Sequence, residues 1–470
     1  MLRSVFLLLS GNAVASLMGF ARNILVARML GVEDYGIAVT FALSTALVEM
    51  ASTFGLQKLI IQAREGDDPG WQAGLQGFHL LRGILAAAVL FALAHPIATF
   101  FGIPDLAWAY QVLALVPLFL GFEHFDIHRL TRHKLYRPIM MYRVLPLTAS
   151  VAAIWPLAWL FGDYRVMLYA LLIQWGLSAV VSHMTAERGY QLSLDRTIIG
   201  RAISFGWPLL INSALLFAVM EGDRVIVARE LGLEILAVFS IGLTLTRMPI
   251  GVITGSLSLF FLPRLSAAQD DPIRFAYLAR AVMQASLFSG LLLVLGVALI
   301  GGPVLNLLFG DKYAALLPVL IWFAIWQAVR GFRTGVSQIA LARGETRQLM
   351  LANIVRLAVL PMAWGAAVHG STLLTLIGIA TIGEMAAFSA GLLFLKYKSG
   401  LSLRDVAMHI TLAFAFLLLM AGVHAFFDVP YKTGDGQWPR LLVIIPFLGI
   451  VISMKELLKP FRAYTRSNSR

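Results

Sequence analysis

The chain has 470 residues, of which 59% are hydrophobic and only 13% are charged. So few charged side chains cannot cover a water-soluble protein of this length, and part of the surface must therefore face lipid. In such a chain the formal charge of +12 is expected to mark the cytoplasmic side of a membrane rather than a nucleic-acid partner. The absence of cysteine excludes disulfides, thiolate metal sites and thiol nucleophiles.

Apolar segments of about 20 residues follow one another along the chain, each long enough to cross a hydrocarbon core of about 30 Å. They are continuous rather than alternating at every second residue, which predicts an all-α polytopic membrane protein rather than a barrel. About 14 transmembrane helices are predicted. They cover residues 5–30, 36–60, 79–101, 105–127, 140–161, 164–185, 203–228, 235–262, 281–303, 314–341, 350–369, 373–395, 407–427 and 440–458.

The lysines and arginines alternate between the two sides of these segments. Of the 37 cations, 26 lie in the even-numbered connections or near the two chain ends, and six lie in the odd-numbered connections. Because cytoplasmic loops are enriched in Lys and Arg, this alternation predicts an inner-membrane protein with cytoplasmic N- and C-termini.

An internal repeat begins at the end of the first segment. Residues 26–33 match residues 227–234 at six of eight positions, and each copy closes a helix with Leu-Gly. The offset of 201 residues spans an even number of crossings, so the copies have the same orientation. This predicts two parallel six-helix lobes, followed by two additional helices and a tail. The predicted boundaries are 1–200, 201–402 and 403–470.

Two stretches resemble a known family, the polysaccharide or O-antigen flippases (Wzx-like) of the MOP exporter superfamily. The N-terminal stretch contains Gly11-Asn12, Ala21-Arg22-Asn23 and Asp34-Tyr35-Gly36, and the second contains Phe205-Gly206-Trp207-Pro208 and Asp223-Arg224. The resemblance implies a V-shaped pair of six-helix bundles that works by alternating access. It also implies transport of a polyprenyl-pyrophosphate-linked oligosaccharide from the cytoplasmic to the periplasmic leaflet, for lipopolysaccharide, exopolysaccharide or capsule synthesis.

Ionisable residues inside the apolar segments are candidate functional groups, because a charge at membrane depth is costly unless it is paired or hydrated. Arginine binds phosphate oxygens through a planar fork of donors. The predicted diphosphate- and sugar-binding residues are Arg22, Arg224, Arg247, Arg330 and Arg333. The predicted ion-coupling carboxylates are Glu49, Asp223 and Glu384. For each of these residues, a structural ion pair is the alternative.

Two other features have alternative interpretations. Gly251 and Gly255 form a GxxxG pair beside Pro249, which favours either close helix packing or a hinge. His124 and His128 are expected to share a helix face, whereas Asp126 points elsewhere, which favours a polar interfacial patch over a metal site.

The sequence contains no Walker motif, phosphate loop or zinc-protease helix, and the outer connection 428–439 is short. We therefore expect no enzymatic activity and no cofactor. The expected partners are a lipid-linked oligosaccharide and membrane lipids, with a polysaccharide polymerase and glycosyltransferases as further candidates and no nucleic acid. A peptidoglycan lipid-precursor flippase and a MATE-type cation-coupled efflux carrier remain alternatives.

Overall fold

A computed structural model describes residues 2–52, 54–399, 404–427 and 443–454. These residues form helices and connections, and the described ranges contain no β-strand. The all-α prediction is confirmed.

The helices of the first half are separated by short connections. They are α1 (Leu2–Met29), α2 (Val32–Ser52), α3 (Leu56–Gln62), α4 (Pro69–Ala92), α5 (Ala94–Phe100), α6 (Ala107–Leu113), α7 (Leu115–Gly121), α8 (Asp126–Arg132), α9 (Arg137–Leu160), α10 (Arg165–Met184) and α11 (Arg196–Ile226). A π-helical turn, Val227–Leu231, extends α11 to Gly232. Gly232 has a φ of 92°, which glycine adopts without a steric penalty.

The second half contains longer helices. They are α12 (Leu233–Ser266), α13 (Pro272–Phe309), α14 (Leu317–Ala342), α15 (Arg347–Val368), α16 (Leu373–Ser399), α17 (Arg404–Phe427) and α18 (Ile444–Ser453). Much of α13 and α14 is buried, and these two helices pack together along their length.

Eleven helical stretches within the described residues are long and apolar enough to cross a membrane. A multi-pass membrane protein is thus confirmed, while the number of 14 crossings stays a prediction. The last predicted segment, 440–458, lies partly outside the described residues, and the connection 428–439 lies wholly outside them.

Some helix boundaries differ from the predicted ones because the sequence contains local start and stop signals. Asp68 caps α4 through its carboxylate, and Pro69 occupies the first helical turn, so α4 begins ten residues before the predicted segment 79–101. The predicted segment 105–127 is wrong at its end, because α7 stops at Gly121 and α8 starts at Asp126.

Two arginines that the charge pattern assigned to cytoplasmic connections are buried helix residues. Arg82 lies 13 residues into α4, and Arg356 lies nine residues into α15. Their exposed fractions are 9% and 8%. At 1.5 Å per residue, Arg356 is about 14 Å from the start of its helix. Both residues therefore belong among the ionisable groups of the helical core.

The chain folds into two compact units, which cover residues 1–237 and 238–470. Helix α11 packs against α2, α3 and α4 and belongs to the first unit. Within that unit α2 lies close to the second copy of the repeat, since a Cβ on Gly36 would lie 2.1 Å from the carbonyl oxygen of Leu233. The division into lobes 1–200, 201–402 and 403–470 stays a prediction.

Candidate functional site

Four arginines and one glutamate come together in the second unit. Arg330 lies within electrostatic range of Arg247, Arg333, Arg356 and Glu384. These five residues, which we call the arginine cluster, come from helices α12, α14, α15 and α16. Three of the predicted diphosphate-binding residues and one predicted carboxylate are thus neighbours.

Glu384 is the anion of the arginine cluster and is only 2% exposed. Its Oε1 lies 2.7 Å from Nε of Arg356, and its Oε2 lies 3.4 Å from Nε of Arg333. Glu384 therefore balances one of the four positive charges of the cluster.

Four of the five members of the arginine cluster are positively charged and one is negatively charged. Positive charges in a low-dielectric interior repel one another and are costly to desolvate. An entering anion lowers that cost, and a diphosphate offers several oxygen atoms to the planar forks of neighbouring arginines. The cluster is therefore suited to bind a multiply charged phosphate group.

The GxxxG pair of α12 does not act through close packing. A Cβ added at Gly251 or at Gly255 would meet no heavy atom within 4 Å among the described residues, apart from the backbone of its own helix. Helix α12 also continues through Pro249 without ending. The packing interpretation of these glycines is therefore wrong, and the hinge interpretation stays a prediction.

A polar cavity of about 470 Å³ lies inside the first unit. Its wall includes the carboxylate residues Glu49 and Glu123 together with Gln174 and Trp175. Arg22 donates a hydrogen bond to Oε1 of Gln174 and lies within electrostatic range of Glu49. Two predicted site residues, Arg22 and Glu49, are thus associated with one cavity.

Arg224 forms an ion pair with Glu221, one helical turn before it, with 2.7 Å between Nη1 and Oε2. The guanidinium group therefore already has a carboxylate partner in the first unit. Asp223 lies on the same helix and is half-buried.

The residues around the break between α7 and α8 face different partners. Nε2 of His128 lies 2.9 Å from Oε1 of Glu123, and the ring of His124 packs against the ring of His183. Asp126 accepts hydrogen bonds from Arg129 and from the backbone N–H of residues 187 and 188. His124 and His128 do not share a helix face, because residues 122–125 interrupt the helix.

Two contacts were missed by reasoning from the sequence. It did not place Arg356 in the arginine cluster, and it did not place Arg82 near Glu123. A signal existed for Arg82, since the Asp68-Pro69 pair marks a helix start that places Arg82 deep in α4. The chain gives no comparable signal for Glu123, whose partners depend on how four separate helical elements pack.

Comparison with known proteins supports both the fold and the pathway. Residues 25–318 match the sequence profile of the family described as "Polysaccharide biosynthesis protein". The amylovoran biosynthesis protein AmsL of Erwinia amylovora is 23% identical over 317 residues, which are 62% of this chain and 77% of that protein. The succinoglycan biosynthesis transport protein ExoT of Rhizobium meliloti (strain 1021) is 25% identical over 317 residues, which are 65% of this chain and 62% of that protein.

Two solved structures are similar over most of their length. The lipid II flippase MurJ in an inward closed conformation matches with a TM-score of 0.69 and 15% identity, covering 99% of this chain and all of that one. An inward-facing MATE multidrug transporter of the MOP superfamily matches with a TM-score of 0.66 and 18% identity, covering 82% and 95%. At these identities the likeness establishes the fold alone.

The fold is that of the membrane transporters of the MOP superfamily. The chain belongs to the polysaccharide biosynthesis protein family, because the profile match covers more than half of its residues.

Proposed function

We propose that this chain is a flippase for a polyprenyl-diphosphate-linked oligosaccharide used in polysaccharide synthesis. It moves the cargo from the cytoplasmic to the periplasmic leaflet of the inner membrane by alternating access, with both termini in the cytoplasm. The names of the relatives, which include a succinoglycan transport protein, support the pathway. The family match supports the same assignment.

The arginine cluster is the observation that carries the proposal. Its neighbouring guanidinium groups suit the two negatively charged phosphate groups of a diphosphate, which such groups bind through paired hydrogen bonds. Arg247, Arg330 and Arg333 contact the diphosphate, while Arg356 holds Glu384 in place. Arg22 and Arg224 of the first unit form a second set of donors for the diphosphate or the sugars.

An ion gradient drives the cycle through carboxylates of the helical core. Glu49, Asp223 and Glu384 were predicted for this role from their position in apolar segments. Glu49 is exposed toward the cavity of the first unit, which gives a proton access to it. Glu384 lies between two guanidinium groups, so any change in its charge acts directly on two arginines of the cluster. The chain performs no catalysis itself, and a polymerase and glycosyltransferases supply and consume its cargo.

The alternatives differ in cargo chemistry. A cationic drug would be repelled by the arginine cluster, which argues against a cation-coupled efflux carrier. A peptidoglycan lipid precursor carries the same diphosphate as the proposed cargo, so the arginine cluster suits both. A deletion strain distinguishes them: an unexported polysaccharide repeat unit should accumulate, whereas loss of a peptidoglycan flippase should cause lysis.

The triple variant Arg247→Gln, Arg330→Gln and Arg333→Gln tests the proposal in cells and in proteoliposomes. Each lost charge-assisted hydrogen bond is worth about 1.4 kcal/mol or more, so flipping should fall by at least about tenfold per residue. Arg274→Gln is the matched control, because Arg274 is an exposed arginine at the start of α13. Unimpaired flipping by the triple variant at normal protein abundance would refute the proposed site.

A further inference from the structure

A buried glutamate joins four helical elements of the first unit. Glu123 lies in the break between α7 and α8 and is 1% exposed. Its carboxylate accepts hydrogen bonds from Nε2 of Gln57 on α3, at 3.4 Å, and from the hydroxyl of Tyr142 on α9. Nε2 of His128 on α8 lies 2.9 Å away, and Nε2 of His79 on α4 lies 3.7 Å away. So many donors around one carboxylate favour its ionised form.

The hydrogen bonds of His79 fix its tautomer. Its Nδ1 lies 2.6 Å from Nη2 of Arg82, and a guanidinium group can only donate. Nδ1 must therefore accept, which leaves the ring proton on Nε2, where it is donated to the carbonyl oxygen of Leu120 at 2.7 Å. His79 stays neutral as long as Arg82 faces it, because protonation would place a hydrogen on Nδ1 against the guanidinium group.

His128 is then the histidine next to Glu123 that can take up a proton. Its Nε2 contacts the carboxylate directly, so the two groups act as a pair. The imidazole ring can bind a proton and release it again, and the pair therefore offers one site for a proton.

The charges that face this pair set the effect of the proton. Arg82 of α4 lies within electrostatic range of Glu123 and balances its negative charge when His128 is neutral. Protonation of His128 adds one positive charge. The other charged groups nearby are Glu49 of α2, which lies within range of Glu123, and Arg143 of α9, which lies within range of Glu49.

The pair is also accessible to a proton. Glu123, His128 and His79 line the same cavity of about 470 Å³ as Glu49 and Arg143. A polar cavity of this size has room for water, which would carry protons between the buried pair and the outside.

We propose that the Glu123–His128 pair is a proton-binding site that couples a proton gradient to transport by this chain, acting in series with Glu49 on the wall of the same cavity. This inference rests on the proposed flippase function. Each cycle loads one proton onto the pair from one side of the membrane and releases it to the other, with no other bond made or broken. Protonation leaves an excess positive charge in the first unit. The conformation with the more hydrated cavity tolerates that charge better, and the proton therefore shifts the conformational equilibrium toward it.

The first experiment uses the purified full chain in proteoliposomes with a polyprenyl diphosphate that carries a fluorescent sugar. A pH gradient of one polarity should speed flipping of this probe by about fivefold or more, the effect expected for typical coupling between two sites. Glu123→Gln and His128→Asn should lose the response to the gradient but keep slow, gradient-independent flipping. Glu187→Gln, which alters an exposed carboxylate of the same unit, should respond like the wild type.

The outcomes separate this inference from the proposed function. If the wild type flips the probe but ignores the gradient, or if both variants respond normally, the proton site is refuted while the flippase function stands. Failure of the wild type to flip the probe at all would count against the flippase function.

A second experiment needs no cargo. The thermal midpoint of the purified chain is measured from roughly pH 5 to pH 8, the range in which a histidine titrates. A transition in the wild type that both variants lack supports a proton site at the pair. A transition that persists in both variants, or its absence in the wild type, overturns the inference.

Discussion

Replacing Glu384 by Gln tests how the charges of the arginine cluster are balanced. The wild-type carboxylate lies 2.7 Å from Arg356 and 3.4 Å from Arg333 and is almost fully buried. Removing one partner of a buried ion pair costs about 3–5 kcal/mol, because the remaining charge loses its compensation. Glu384→Gln should therefore lower the thermal midpoint of the purified protein clearly.

The same variant should bind a diphosphate more tightly than the wild type. Without the carboxylate, the four guanidinium groups attract an added anion more strongly. A ligand that binds only the folded state raises the free energy of unfolding, by about 2.7 kcal/mol at about 100 times its Kd. Inorganic pyrophosphate at that concentration should stabilise the variant by this amount. The shift of the thermal midpoint caused by a fixed pyrophosphate concentration should thus be larger for Glu384→Gln than for the wild type.

Two further variants control this experiment. Asp270→Asn alters an exposed carboxylate of the same unit and should leave both the midpoint and the pyrophosphate shift unchanged. Adding Arg356→Gln to Glu384→Gln removes the guanidinium group that lost its closest partner and should recover part of the stability. The reasoning is refuted if Glu384→Gln is as stable as the wild type, or if pyrophosphate stabilises it no more.

Two other predictions concern the first unit. Gly36→Ala should lower stability by about 1–3 kcal/mol, because its Cβ would overlap the carbonyl oxygen of Leu233. Gly19→Ala, in the interior of α1 with open space around it, should not lower the thermal midpoint in the same assay. Burial by itself raises the pKa of Asp126, but hydrogen bonds from Arg129 and from two backbone N–H groups hold this pKa below its usual value. Ionised Asp126 therefore stabilises the folded protein at neutral pH, and this contribution is lost as the pH falls below about 4. Asp126→Asn should lower the free energy of unfolding by about 2 kcal/mol at pH 7 and flatten the acid side of the stability profile. An Asp126→Asn protein that is stable at pH 7 and still loses stability normally in acid would contradict this assignment.

The sequence alone predicted the membrane class and the all-α fold. A run of about 20 apolar residues forces a helix because lipid offers no partner for the backbone, and this requirement acts within one segment. The repeat at residues 26–33 and 227–234 was also visible directly, because similar helix ends need similar residues. Such features depend on neighbours in the chain, and the resemblance to the polysaccharide flippases rests on them as well.

Only the tertiary structure decided which buried charges meet. Arg247 and Arg330 are 83 residues apart, and their proximity depends on the packing and rotation of helices that local sequence does not fix. The structure also showed that Arg82 and Arg356, which the charge pattern counted with the cytoplasmic connections, are buried helix residues, each close to a buried carboxylate. The partners of Glu123 come from α3, α4, α8 and α9, so no pattern along the chain could have assembled them.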